Sequence, residues 1–203
     1  LAIELHDGDL PPDLVWGEAV AIDTETMGLH PGRDRLCLVQ VSAGDGVCHL
    51  VQFRQRRYDA PNLKRLLADP GVTKIFHFAR FDLGILYASL GVECRPVYCT
   101  KTASRLVRTY TDRHGLKDLC KELLGVEVSK EQQTTDWGAD ELTPAQLRYA
   151  ASDVLYLHEL RLRLDALLAR EGRTELAEAC FAFLPARARL DLAGWPEFDI
   201  FAH

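Results

Sequence analysis

The spacing of apolar residues changes character along the chain. "AVAI" (19–22) is apolar in succession and runs into Asp23, which reads as a strand over 18–24 covered on both faces. "LCLVQVSA" (36–43) and "GVCHLVQF" (46–53) are two more strands, parted by a Gly-Asp-Gly hairpin signal. The pattern then alternates. "NLKRLLAD" (62–69) predicts a short helix, "TKIFHF" (73–78) a buried strand, "ARFDLGILYASLG" (79–91) a helix stopped by Gly91, and "CRPVYCT" (94–100) another strand. Helices are expected over about 100–109 and 115–124. A long helical period fills 143–171, with Thr143 as N-cap and Pro144 at the first helical position. A last helix covers about 173–190, followed by the aromatic tail "GWPEFDIFAH".

Three strands, then alternating helices and strands, then helices alone predict an α/β fold on a mixed sheet. The expected sheet has three antiparallel strands followed by parallel ones, with C-terminal helices. The strand carrying Asp23 is expected to be central.

Composition narrows the class. A chain of 203 residues, 47% hydrophobic and 27% charged, suits a globular fold with a sizeable core, read as a single domain over 1–203. No apolar run approaches the roughly 20 residues that span a bilayer. The N-terminal stretch lacks a basic region followed by an apolar one, so a cytoplasmic chain without signal peptide is expected. The six cysteines (37, 48, 94, 99, 120, 180) show no C-x-x-C spacing. They are expected as reduced, mostly buried thiols rather than disulfides or a zinc site.

A net charge of −6 argues against sequence-blind coating of a duplex. Local basic clusters remain: Lys101, Arg105, Arg108, Arg113, Lys117 and Lys121, and "RQRR" at 54–57. Either a solvated helix face or a basic patch would account for them.

The chemistry starts at Asp23 and Glu25. On a strand, residues i and i+2 share a face, so both carboxylates point to one spot at the C-terminal end of a buried strand, where open sheets place ligand sites. Two acids held close repel unless a cation intervenes, and Mg²⁺ or Mn²⁺ prefers such oxygen ligands. Asp82, early in a helix after a buried strand, is a third candidate, although an acid there also suits the helix dipole. Tyr149 and Asp153, four apart on a largely apolar helix face, complete the set.

D-x-E on a first strand, an Asp after a buried strand, and Y-x-x-x-D on a late helix resemble the DEDDy 3′–5′ exonucleases. "AIDTETMGL", "HFARFD", "LKDLCKELLGVEVSKEQQTTDW" and "LTPAQLRYAASDVLYL" are similar to the ribonuclease D branch over about residues 18–165. The end, "CFAFLPARARLDLAGWPEFDIFAH", resembles the compact nano-RNase C type of alphaproteobacteria rather than a ribonuclease D with appended RNA-binding domains.

The resemblance implies a ribonuclease H-like fold and a metal-dependent 3′–5′ exoribonuclease. It would degrade short oligoribonucleotides, diribonucleotides included, to 5′-mononucleotides. It implies two divalent cations, Mg²⁺ or Mn²⁺, held by Asp23, Glu25, Asp82 and Asp153, with Tyr149 orienting the attacking water. Thr26, Met27, Leu29, Gln40, His77 and Phe81 fit substrate-contact positions, core packing being the other reading for Leu29 and Phe81. Lys130, Gln133, Asp136 and Trp137 fit the third motif, in either a site or a structural role. A homo-oligomer, an octameric ring, is also implied, with the helix and aromatic tail at about 173–203 at subunit contacts. Two alternatives stay open: a general exonuclease on longer RNA or DNA 3′ ends, and an inactive domain that binds RNA ends or serves as a scaffold.

Overall fold

The computed structural model describes residues 2–128 and 135–203. Lys130 and Gln133 lie outside the described residues. Six strands form one sheet in the order β1-β4-β3-β2-β5-β6. They are β1 (Ala2–Asp7), β2 (Ala19–Thr26), β3 (Leu36–Ser42), β4 (Val47–Gln52), β5 (Thr73–Phe76) and β6 (Val97–Cys99). β2, β3 and β4 pair antiparallel, and β5 and β6 add parallel on the other side of β2. This is the mixed, ribonuclease H-like α/β sheet expected from the sequence, with β2 in its interior. Val20, Ala21 and Ile22 are wholly buried because helices cover both faces there.

The helices are α1 (Pro61–Ala68), α2 (Ala79–Leu90), α3 (Thr100–Val107), α4 (Leu116–Leu119), α5 (Pro144–Leu155), α6 (Leu157–Arg170) and α7 (Thr174–Leu192). At α5 Thr143 closes a capping box. Its hydroxyl accepts from the Gln146 N–H at 3.2 Å, and the Gln146 side chain accepts from the Thr143 N–H at 2.9 Å. The first turn of α1 is satisfied from a distance: Asp9 accepts from the N–H groups of Asn62 and Leu63 at 3.0 and 2.9 Å.

Several expectations are corrected. β1 was not anticipated; it adds to the edge of the sheet, parallel to β4. The single helix expected over 143–171 is two helices, broken at Tyr156. The helix expected at 115–124 is one α turn, α4, followed by a π-helical turn over Cys120–Leu124. The basic cluster at 101–121 is not one face. Arg108 is buried and bonded to Ser104, the Arg113 carbonyl and Glu122. Lys121 pairs with Glu127. In "RQRR", Arg54 and Arg56 donate to the carbonyls of Asp140 and Arg33. All six cysteines are free, and only Cys180 is exposed.

Candidate active site

Strand pairing explains the first part of the site. Asp23 on β2 stands opposite Gln40 on β3, so the two side chains share a face, and Glu25 shares it two residues on. The Gln40 amide donates to Asp23 Oδ2 at 3.2 Å and to Glu25 Oε1 at 3.5 Å. Gln40 itself is fully buried. The expectation that it contacts substrate is therefore corrected: it holds the two acids from beneath.

α5 crosses behind β2 and brings Asp153 to the pair. Oxygens of Asp23, Glu25 and Asp153 all lie within 4.8 Å of one another. Asp82, in the first turn of α2, sits deeper, only 3% exposed, and accepts from Thr24 Oγ1 at 2.6 Å. It is outside the 4.8 Å group but near enough for its charge to act on Glu25, and for that of Asp23 to act on it.

These groups resist ionising together. Burial pushes Asp23 up to about 7. Burial, then the charges of Asp23, Asp153 and Asp82, push Glu25 up to about 10. Asp153 is pushed to about 8 by burial and then Asp23, against a lowering hydrogen bond from Tyr149. Asp82 is raised well above the carboxylate range by burial and then Asp23. Tyr149 is raised as well, by burial and then the charges of Asp153, Glu25 and Asp23. It therefore stays a phenol that donates to Asp153 and is unsuited to act as a base. The donor set, carboxylate oxygens with no nitrogen or sulfur among them, fits a hard divalent cation such as Mg²⁺ or Mn²⁺.

The acids open into a cavity of about 660 Å³. Thr26, Met27, Leu29, His77 and Phe81 all line it. Leu29 is 82% exposed, so its core-packing reading falls away. The turn that carries Leu29 is tight: a Cβ on Gly28 would lie 2.2 Å from Asp34 Oδ2, so a larger residue there would have to displace the Asp34 carboxylate. Thr100 Oγ1 donates to the Phe76 carbonyl at 3.2 Å and meets His77 Nδ1 at 2.9 Å. Trp137 is buried beside Tyr149, their ring centroids 6.1 Å apart, and lines the cavity; Asp136 is exposed.

Phe78 also lines the cavity without having been singled out from the sequence, and so do Lys101 and Lys117 of the basic cluster. Phe78 holds a left-handed backbone, φ +66°, between β5 and α2, and Lys101 Nζ lies 4.3 Å from its ring centroid. A bulky residue in that conformation is a strained position of the kind that gathers at functional sites. Nothing in "HFARFD" signals the backbone turn. The lysines were legible only as members of a cluster.

Comparison with known proteins agrees with this geometry. The family model described as 3′–5′ exonuclease matches residues 12–169. The chain is 34% identical over 156 residues to Ribonuclease D of Acidiphilium cryptum, a match covering 77% of this chain and 39% of that protein. It spans about two fifths of the length of the curated ribonucleases it matches first. It is similar to solved structures of Brucella melitensis NrnC. The form with bound Mg²⁺ has 57% identity and a TM-score of 0.96 over the whole of both chains. The form bound to pGG has 58% identity and a TM-score of 0.97, over 100% of this chain and 99% of the other.

Proposed function

The chain belongs to the 3′–5′ exonuclease family, and on that basis we propose that it hydrolyses short oligoribonucleotides, diribonucleotides included, from the 3′ end. In this reaction water adds to the terminal phosphorus, the bond to the upstream 3′ oxygen breaks, and a 5′-mononucleotide leaves. The observation that carries the reading is the meeting of Asp23, Glu25 and Asp153 within 4.8 Å at the floor of a compact cavity. Asp23, Glu25 and Asp153, with Asp82 behind them, would hold the divalent cations. When bound, such cations acidify a water and offset charge on the reacting phosphate.

The chain's own groups do the rest. Tyr149, fixed through Asp153, orients the attacking water by its hydroxyl. Gln40 keeps Asp23 and Glu25 aimed at the cavity. Thr26 and Met27 receive the terminal nucleotide, His77 and Phe81 flank it, and Leu29, exposed on its tight turn, wedges against a base.

Substrate length follows from the shape of the cavity. Sequence-blind binding of long strands uses an extended basic groove with stacking platforms. Here two lysines, Lys101 and Lys117, line a single cavity of about 660 Å³. They suit a cap on the 5′-phosphate of a short substrate. The similarity to a nuclease bound to pGG supports the same reading. We also infer assembly into a homo-oligomer through residues 173–203, where Trp195, Phe198, Ile200 and Phe201 are exposed.

Product analysis with pGG, a five-residue RNA and long RNA or DNA, each with and without Mg²⁺, tests the proposal. Mononucleotide release that needs the cation and is fastest on pGG is the expected result. Equal or faster release from long RNA or DNA would make it a general exonuclease, and no release would leave only end binding.

A further inference from the structure

Away from the acids, at the edge of the sheet, β1 and β4 bring together three side chains of different chemistry. Glu4 and His6 alternate onto one face of β1, and Glu4 stands opposite His49 in the parallel pairing. His6 Nε2 and His49 Nδ1 are 3.0 Å apart. Glu4 Oε2 is 3.3 Å from that His49 nitrogen and 3.9 Å from that His6 nitrogen. The same three atoms make all three distances, so they lie on a circle of about 2.0 Å radius, the bond length of zinc to imidazole or carboxylate.

We propose that Glu4, His6 and His49 form a second metal site, for a single borderline cation of the Zn²⁺ class, that clips β1 to β4.

Two imidazole nitrogens and one carboxylate oxygen are a donor set for Zn²⁺ or Co²⁺, whereas the acids beside β2 offer oxygen alone. The two sites therefore sort cations by donor type. β3 lies between β4 and β2 in the sheet, which separates them. His49 is buried, and the Trp16 ring, near-perpendicular to it with the centroids 5.7 Å apart, walls one side. Glu4 is exposed, which leaves a way in and room for a water as fourth ligand. β1 belongs to the sheet only through its one neighbour, β4. A metal bond across that pair would add to stability by an amount that grows with the logarithm of free metal above its Kd.

The test uses the full chain, stripped of metal and then kept in millimolar Mg²⁺ to fill the acid site. Zn²⁺ is titrated by calorimetry, and Co²⁺ by its visible absorption. The wild type should take up one Zn²⁺ per chain, give a Co²⁺ band of imidazole-ligated type, and melt at a higher temperature with Zn²⁺. His6→Gln should weaken Zn²⁺ binding by at least about 10-fold and remove the thermal shift, while Mg²⁺-supported nuclease activity stays at the wild-type level. Glu4→Gln, on an exposed side chain, should also weaken binding and decides the matter if His6→Gln does not fold. No Zn²⁺ uptake by the wild type in Mg²⁺, or equal uptake by wild type and Glu4→Gln, would overturn the proposal. The second result would mean that Zn²⁺ had replaced Mg²⁺ among the acids.

Discussion

Two of the places where the chain buries charge are treated in opposite ways. On β5, Lys74 is wholly buried, and its ammonium donates to the carbonyls of Asp69, Val72 and Arg95 at 2.7, 2.6 and 2.6 Å. All three of its donors are used, and burial lowers its pKa only to about 8. On neighbouring β2, Asp23 and Glu25 meet Asp153 and share one side-chain amide, that of Gln40, with the Thr24 backbone adding a bond to Asp23 and Tyr149 one to Asp153, and no cationic side chain among them. The lysine is balanced by the fold. The carboxylates are opposed by one another, and their balance has to come from a cation outside the chain. Buried charge locates a site when it is left uncompensated, and burial alone is a poor guide.

The strongest way to break this contrast is to remove one acid. Asp153→Asn should cut turnover of a dinucleotide by at least about 10³-fold, since positioned charge carries most of such catalysis. The melting temperature without metal should hold or rise, because one source of repulsion is gone. A loss of both activity and stability would make Asp153 a structural residue.

The converse holds at Lys74. Lys74→Met should destabilise the chain by about 2–4 kcal/mol, because carbonyls are left buried without a donor. Denaturant unfolding reads the effect, and turnover by the folded fraction should not change.

Tyr149→Phe is the next smaller step. It should lower kcat by about 10–100-fold with KM little changed, as for loss of a positioning hydroxyl. An equal rise in KM would place the hydroxyl in substrate binding instead.

The mildest change is pH. In the metal-free chain the folded carboxyls keep their protons to higher pH than the unfolded chain does. Their contribution to stability is complete below the ordinary carboxylate pKa. It is lost as pH rises through about 7 for Asp23, 8 for Asp153 and 10 for Glu25. Thermal melts of the metal-free chain should therefore drop by several degrees between about pH 5 and pH 9. Mg²⁺ should flatten that slope, and a flat profile without metal would mean the acids do not repel.

The acids were legible because each sits where periodicity is plain: Asp23 and Glu25 at the end of an apolar strand, Asp82 after another, Tyr149 and Asp153 on a capped helix. Gln40 was legible as a residue of interest, but its role depended on the register of β3 against β2, which sequence does not fix. β1 was missed because "AIELHD" has no wholly buried position. Ile3 and Leu5 do alternate with Glu4 and His6, but over too short a run to mark a strand, and only its pairing with β4 reveals it. The break at Tyr156 left no mark either, since leucines continue at helical spacing across it and neither Gly nor Pro is present. The left-handed turn at Phe78 has the wrong residue for its geometry, so chain composition points away from it.

The remote cap that Asp9 places on α1 has a practical consequence for anyone shortening the chain. Deleting the first nine residues would strip the hydrogen-bonding rim from Val47–Gln52 and uncap the helix that begins at Pro61. The bared strand is rich in Val and Leu, and such a rim recruits strands from other molecules. The truncated product should precipitate during purification, and a fusion partner at the front is better spaced by a flexible linker than gained by trimming.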